Sequence, residues 1–511
     1  MTNPTAALRM LLTYAVCIPV AIMAGYLLTN PLDYGTLGFF ALLFGILISP
    51  VFIKWHYPLL VFGLACPMIC FFIVGKPPLA QVVAVMSLGI AVTEGILNSE
   101  KRFLKVPAMT WPLLYIGAMV YLTAKLNGGI GLHSMGGDTG GGRKYIEVFT
   151  GIATYFALTS QAIPRRRFHF YLMLAMLPKL LGVIGDFFPY LPTPLNKINL
   201  LFPPSQTYED GISLGTTRLT SFSFAIGTIM AYMLARYGLR GTFSAQKPWR
   251  ALLFLASFFL SLLGGYRSSL IGMCMTLTMM FFLERMYRTR LMPFLVMAGI
   301  LGVTLVTTFS DKLPYTFQRS LSFLPLNWDP AVVLDADGSA QWRYNIWRAT
   351  WPQVPDHLLL GKGYSLSAED YQMIGNGTFA LAQASHIDDA EASLAISGDY
   401  HSGPLSTLMA FGLWGGIGML WLMGATIYVT YRNYKYGDPE LHTYNIYMFV
   451  SAVAGTIFFL FVFGGFSGDV GNFAKLAGLN IAFNGGLARR PARAAYNPPI
   501  KPLAARTPQP A

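Results

Sequence analysis

The chain has few charged residues for its length. Only 12% of its 511 residues are charged, whereas 54% are hydrophobic and the mean hydropathy is +0.50. So small a polar fraction cannot cover the surface of a soluble protein of this size. The sequence therefore excludes a soluble globular fold. It predicts an all-α integral membrane protein, a polytopic bundle of about 12–14 transmembrane helices, because a span needs about 20 apolar residues.

Cysteine is also scarce. The four cysteines fall in apolar runs and are expected inside membrane helices: Cys17, Cys66, Cys70 and Cys274. The predicted outer loops contain none, which excludes a disulfide framework and a cysteine-ligated metal site there.

The Gly-rich segment 128–144 lacks the Gly-Lys-Ser/Thr end of a phosphate loop, so we expect a flexible outer loop. No cofactor and no metal are expected.

Thirteen apolar runs recur from residue 8 to residue 466, one of them at 58–74, and a weaker fourteenth run at 470–487 is interrupted by Lys475. The first run lacks a signal-peptide cleavage pattern and is expected to be a retained helix. With the N-terminus inside, most basic residues fall in cytoplasmic segments, as the positive-inside rule requires. Topology and anionic membrane lipids therefore explain the net charge of +13, and no nucleic-acid partner is expected.

Composition divides the chain into five segments. Residues 311–402 form the longest polar stretch and are acidic in an otherwise basic chain, which indicates a separate functional unit outside the cytoplasm. The predicted segments are N-terminal transmembrane helices (1–210), transmembrane helices with arginine motifs (211–310), a large periplasmic loop (311–402), C-terminal transmembrane helices (403–488) and a disordered cytoplasmic tail (489–511).

Arginines at the outer ends of predicted helices are the main candidates for binding. Arg218 opens one helix, Arg267 lies in a tight turn between two helices, and Arg343 lies in the loop. An arginine at the membrane edge is costly unless paired, and planar guanidinium groups suit the oxygens of a diphosphate. Each arginine alone is explained as well by snorkelling to lipid headgroups or by pairing with a loop carboxylate.

The loop also holds a predicted helix over residues 341–351, ended by Pro352. Arg343, Trp347 and Trp351 are spaced by four and share one face of it. The tryptophans are either interfacial anchors or a sugar-stacking platform. At the end of the loop, His401 precedes a hydrophobic helix, and Asp399 either orients this imidazole or caps that helix.

Charged residues elsewhere have simpler explanations. The stretch His386-Ile387-Asp388-Asp389-Ala390-Glu391 could ligate a metal, but a solvated acidic loop is the favoured interpretation. Lys179 and Asp186, seven residues apart in a predicted membrane helix, are interpreted as a buried ion pair, with a proton path as the alternative.

Four motifs in order carry a resemblance to a known family. They are Arg218-Leu219-Thr220; Gly265-Tyr266-Arg267-Ser268-Ser269; Arg343 with Trp347 and Leu360-Gly361-Lys362-Gly363-Tyr364; and His401-Ser402 with Leu405 and Phe411-Gly412-Leu413-Trp414-Gly415. Together they resemble the O-antigen ligase and O-antigen polymerase superfamily over about residues 210 to 430. Ser402 stands where that family commonly has asparagine.

The resemblance implies a glycosyltransferase of GT-C-like fold in the bacterial inner membrane. The donor would be an undecaprenyl-diphosphate-linked glycan, and the acceptor a hydroxyl of a glycan, lipid A core or protein. His401 would be the catalytic base, with Arg267 and Arg343 on the diphosphate. Arg218, Tyr266, Trp347 and Asp399 would bind substrate. Inversion by a single displacement without a metal is implied. The alternatives are a lipid-linked sugar transporter or flippase, and a scaffold protein of polysaccharide assembly.

Overall fold

The computed structural model of the protein describes most of the chain. The described residues are 4–29, 34–98, 102–127, 142–187, 190–204, 218–290, 292–365, 398 and 400–489. They form helices joined by turns, and their one β-type pairing is an isolated bridge between Ile69 and Pro78. The predicted all-α class is therefore confirmed. The chain divides into two compact units, Met1–Leu59 and Leu60–Ala511, and the core and the candidate site described below belong to the second.

The α-helices of the described residues are numbered in chain order. They are α1 Pro4–Leu27, α2 Tyr34–Gly63, α3 Leu79–Leu97, α4 Pro107–Leu126, α5 Gly142–Leu158, α6 Phe168–Met176, α7 Val183–Phe187, α8 Thr220–Thr242, α9 Pro248–Ser261, α10 Arg267–Leu283, α11 Met292–Thr308, α12 Tyr315–Leu321, α13 Pro330–Thr350, α14 Val354–His357, α15 Gly403–Tyr436, α16 His442–Phe461 and α17 Phe466–Asn484.

Five helical segments are long and apolar enough to cross a membrane: Leu79–Leu97, Arg165–Phe187, Thr220–Thr242, Gly403–Tyr436 and Pro439–Phe461. Further apolar helices are shorter, among them Arg267–Leu283. The described chain is therefore a polytopic membrane helix bundle. The count of about 12–14 spans stays a prediction.

The segment after α2 differs from expectation. The apolar run at 58–74 is not a separate helix, because α2 ends at Gly63 and residues 64–78 are irregular. Pro67 near the start of this segment and the pair Pro77-Pro78 at its end lack the backbone N–H groups that a helix needs. Cys66 and Cys70 therefore lie outside helices, contrary to the prediction, although both are buried.

The core of the second unit lies where α4, α5, α15 and α17 pack against one another. Its central side chains are almost fully buried, among them Leu113, Tyr155, Phe411 and Ala474. The predicted fourteenth run is thus confirmed as a helix, α17, despite Lys475. Its close packing on α5 makes it an integral part of the bundle.

Four asparagines join three helices near one end of the bundle. Asn433 of α15 donates its side-chain amide to Asn480 of α17 at 2.7 Å. Asn445 of α16 and Asn484 of α17 exchange hydrogen bonds at 2.9 and 2.8 Å. We call this the far end, and we call the opposite end, where residues 311–402 join the helices, the loop end.

The turn Leu360-Gly361-Lys362-Gly363-Tyr364 docks on a kink in α15 at the loop end. Gly412 has a φ of +59° inside that helix, which interrupts its regular hydrogen bonding. The backbone N–H groups of Lys362 and Gly363 donate to the carbonyls of Met409 and Ala410, both at 2.9 Å. These hydrogen bonds fix the loop helices on the bundle and so position the site described next.

Candidate functional site

Arg267 lies at the loop end, as the first residue of α10, after the turn Gly264-Gly265-Tyr266. Its guanidinium donates a hydrogen bond to the backbone carbonyl of Ala336 in α13. The tight turn is present, but Arg267 directly follows it as part of α10. The contact brings the membrane helix α10 and the loop helix α13 together at one arginine.

A second contact between bundle and loop centres on Asp335 of α13. Arg218 donates to its two carboxylate oxygens at 3.1 and 2.7 Å, and Arg319 of α12 donates to Oδ2 at 2.7 Å. The Tyr315 hydroxyl donates to the same oxygen at 2.6 Å. Arg319 also donates to the carbonyl of Gly265 at 2.7 Å. Arg218 is thus paired with a loop carboxylate, the alternative that the sequence left open, and its substrate role stays a prediction.

These contacts change the acidity of the groups involved. Burial alone would raise the pKa of the Asp335 carboxyl, but the hydrogen bonds and charges of Arg319, Tyr315 and Arg218 lower that pKa to about 2. Burial and the hydrogen bond to Asp335 raise the pKa of the Tyr315 hydroxyl to about 12. Asp335 is therefore a carboxylate at any working pH, and Tyr315 remains a neutral donor.

Arg343 of α13 is the least compensated cation of the group. Its Nε is buried and has no hydrogen-bond partner among the described residues. Burial lowers the pKa of its guanidinium, and the nearby charges of Arg267 and Arg319 lower it further. Of the four guanidinium groups, those of Arg218 and Arg319 both bind the carboxylate of Asp335. Among the described residues, Arg267 and Arg343 form no ion pair, so the positive charge of this group exceeds its paired negative charge there.

His401 lies against the same loop helix. Its ring packs edge-on against Trp342 of α13 at 4.6 Å and against Phe463 at 5.1 Å between ring centroids. Its φ of +50° is uncommon for a residue other than glycine. Trp347 donates its indole N–H to the carbonyl of Tyr400 at 2.8 Å, which fixes the backbone just before the imidazole.

The remaining predicted site residues have different placements. Tyr266 stacks on Phe224 of α8 with 5.7 Å between ring centroids. Trp347 is partly buried by the small apolar cluster around Ile346, and Trp351 is exposed. Trp347 therefore positions the chain at Tyr400, and a sugar-stacking role for it stays a prediction. Asp399 lies outside the described residues, as does the stretch 386–391.

The structure thus gathers Arg218, Arg267 and Arg343 near the loop helix that also supports His401. Sequence reasoning missed two members of the group, Arg319 and Asp335. A signal for Arg319 was present, because it is a single cation in a short, otherwise uncharged helix. Asp335 could not be singled out from the other acidic residues of the loop.

A metal site is a separate question. The described ranges bring together no group of three or more His, Cys, Asp or Glu side chains that could hold a metal ion. The site offers guanidinium groups suited to phosphate oxygens, and the His401 imidazole, a group commonly used as a general base, lies against the same loop helix.

A comparison with protein families identifies the segment that holds most of this site. Residues 251–420 match the family model described as O-antigen ligase. The match includes Arg267, Arg343 and His401, whereas Arg218 lies before it. The search of curated proteins found no match. The resemblance to the O-antigen ligase and O-antigen polymerase superfamily is thereby confirmed, and it is carried by residues 251–420.

Proposed function

We propose that the protein is a membrane glycosyltransferase that moves a glycan from an undecaprenyl-diphosphate-linked donor to an acceptor hydroxyl at the periplasmic face. The observation that carries the proposal is the surplus of guanidinium charge around α13, the loop helix that also supports His401. A diphosphate supplies the anionic charge that this group lacks. The family match of residues 251–420 supports the same class of reaction.

In the proposed reaction, His401 removes the proton of the acceptor hydroxyl, and the oxygen attacks the anomeric carbon of the donor. The bond from that carbon to the diphosphate breaks, and its electron pair leaves with the diphosphate. Arg343 and Arg267 stabilise the charge that develops on the leaving group. A single displacement inverts the anomeric configuration, and the proposed reaction uses no metal ion.

Two neighbours support these roles without touching the reacting atoms. Trp347 holds the Tyr400 carbonyl and so fixes the backbone before His401. Asp335 binds Arg218 and Arg319 and keeps α13 in place beside α10. They act as positioning residues.

The test is transfer by the purified full chain, reconstituted with a lipid-linked donor and a hydroxyl acceptor. His401→Ala should reduce the rate by about 10²–10⁴-fold, the usual contribution of a general base. Arg343→Ala should reduce it by a similar factor, because a charge-stabilising contact is lost. The control is Arg432→Ala, since Arg432 contacts Tyr428 on the exposed part of α15 toward the far end. Full activity of the His401→Ala protein would refute the proposed base.

A further inference from the structure

Charged side chains away from the reaction site differ in how they are compensated. The predicted ion pair of Lys179 with Asp186 is wrong, because Asp186 instead accepts the backbone N–H of Phe222 at 2.8 Å. Glu284, the residue after α10, accepts two backbone N–H groups of α8 at 2.9 and 3.0 Å. Arg236 of α8 is different, since its buried Nη1 has no hydrogen-bond partner among the described residues. This guanidinium therefore lacks an acceptor that the neighbouring side chains do not supply.

Arg236 borders a cavity of about 290 Å³ at the far end. Tyr444 is part of the same wall and directly precedes Asn445 of the asparagine contacts. Further polar lining comes from Arg165, His169, Glu440 and Thr443. The volume is slightly below the roughly 300–1,000 Å³ of pockets for drug-sized ligands, so the cavity suits a small polar group and excludes an oligosaccharide.

Three apolar helical segments that are long enough to cross a membrane contribute the walls of this cavity. They are Arg165–Phe187 and Pro439–Phe461, which contribute their first residues, and Thr220–Thr242, which contributes part of its last turns. The polar headgroups of a bilayer lie just outside its hydrocarbon core, where spans of this kind end. The cavity is therefore at the depth of lipid headgroups.

The cavity has charges of both signs. Arg165 is paired with Asp438, so these two charges cancel. The Arg236 guanidinium and the Glu440 carboxylate remain, and neither forms an ion pair with any residue that the structure describes. They border one space but are too far apart to pair with each other. A group that fills the gap between them can therefore satisfy both only if it carries an anion and a cation.

A second guanidinium adds to the positive charge near Arg236. Arg236 and Arg250 of α9 approach the ring of Tyr237, with their guanidinium carbons 5.3 and 3.7 Å from its centroid. Arg250 donates to the carbonyl of Gly241 at 3.2 Å, but its buried Nε has no partner among the described residues. Guanidinium groups suit phosphate oxygens, whereas the Glu440 carboxylate accepts hydrogen bonds from an ammonium.

We propose that this cavity binds a phosphodiester linked to a primary ammonium, the headgroup chemistry of phosphatidylethanolamine. The phosphate lies toward Arg236 and the ammonium toward Glu440. Such a group carries both missing charges and has no net charge. The site is at the opposite end of the bundle from the reaction site and takes no part in the proposed transfer. A bound headgroup would join α6, α8 and α16 at the far end.

The test is equilibrium binding of short-chain phospholipids to the full chain in a neutral detergent, measured by native mass spectrometry. Phosphatidylethanolamine should bind about tenfold more tightly than phosphatidylcholine, because the trimethylated nitrogen of the latter cannot donate hydrogen bonds to Glu440. This comparison needs no variant. Glu440→Gln should remove the preference, whereas Arg236→Gln should weaken binding of both lipids by about tenfold, since each loses its phosphate contact.

Two control variants keep the wild-type preference. Arg432→Gln removes a guanidinium that contacts Tyr428 outside the cavity, and Asp337→Asn removes an exposed carboxylate at the loop end. Soluble glycerophosphoethanolamine distinguishes the source of the ligand: binding as tight as that of the lipid would support the site and assign it to a soluble compound. Equal affinity of the wild type for the two lipids would overturn the proposal. So would a preference that survives Glu440→Gln in protein with wild-type thermal unfolding.

Discussion

At the scale of single residues, Asp335 is the side chain on which the site depends most. It is the one carboxylate bound by Arg218, Arg319 and Tyr315. Arg319 is only 5% exposed and cannot turn to water if that carboxylate is lost. Arg218 and Arg319 are therefore held in place by an anion that has no part in the proposed chemistry.

Asp335→Asn should lower the free energy of unfolding by about 2–3 kcal/mol, because it leaves the buried Arg319 charge without its ion pair. The measurement is thermal or denaturant unfolding of the purified protein. Asp337→Asn is the matched control, since Asp337 is exposed on the same helix. Equal stability of the two variants would show that the Asp335 contacts contribute little.

The same carboxyl predicts a dependence of stability on pH. Its pKa in the folded protein is about 2, below the ordinary value of 3.8. Because the pKa is lower in the folded protein, the ionised carboxyl stabilises the fold fully above pH ~4. This contribution is lost as the pH falls from ~4 towards ~2. It amounts to at most about 2 kcal/mol, and solvent screening reduces it because Asp335 is 32% exposed.

The free energy of unfolding, measured at several pH values between ~4 and ~2, checks this prediction. The difference in stability between the wild type and Asp335→Asn should shrink as the pH falls through that range. A difference that stays constant down to pH ~2 would contradict the assigned contribution.

Residue types at the site could largely be predicted from the sequence. Arginines at helix ends and a histidine before a hydrophobic helix are unusual in an apolar chain, so Arg267, Arg343 and His401 stand out in the sequence. The partner of Arg218 was not found, because which carboxylate of an acidic loop it contacts depends on how the loop folds back. For the same reason, the contact between Trp347 and Tyr400 has no local sequence signal.

At the scale of elements, the docked turn and the kinked helix α15 depend on each other. Leu413 donates its N–H to the carbonyl of Leu358 at 2.7 Å, while the turn donates to the carbonyls that the kink exposes. Gly361 has a φ of +70°, and a side chain there would collide with the carbonyl of Ala410. Neither element keeps its hydrogen bonds without the other.

Gly412→Ala should destabilise the protein by about 1–3 kcal/mol and reduce transfer. The added Cβ would lie 2.5 Å from the carbonyl oxygen of Leu358, and alanine disfavours the positive φ. Gly424→Ala in the same helix is the control, because its Cβ would meet nothing within 4 Å, and it should be neutral or stabilising by up to about 1 kcal/mol. Unfolding and transfer are measured on both. Similar behaviour of the two variants would contradict a structural role for the kink.

Helices were the most predictable elements, because long apolar runs have few other folds in a membrane. The loop helix predicted over residues 341–351 is confirmed, although α13 begins earlier, at Pro330, where Asp329 caps it. The irregular segment 64–78 was mistaken for a helix because hydropathy does not register the prolines within it. Residues 142–144, predicted as part of a flexible loop, instead begin α5.

At the scale of the whole molecule, the proposed reaction requires the loop end to face the periplasm. In a chain whose four cysteines are replaced by serine, Asp337→Cys should react with a membrane-impermeant maleimide in intact spheroplasts. Lys247→Cys, exposed between α8 and α9, should react only after the membrane is permeabilised. The opposite pattern would place the site in the cytoplasm and would exclude a periplasmic transferase.

The asparagine contacts among α15, α16 and α17 have a consequence for how large substrates reach the site. Lipid cannot replace these amide hydrogen bonds, so separating the three helices there would leave polar groups unsatisfied in hydrocarbon. The loop end has no such network among the described parts of these helices. We therefore expect the three helices to stay joined at the far end whenever a glycan lipid binds, so that any movement that admits the lipid is confined to the loop end.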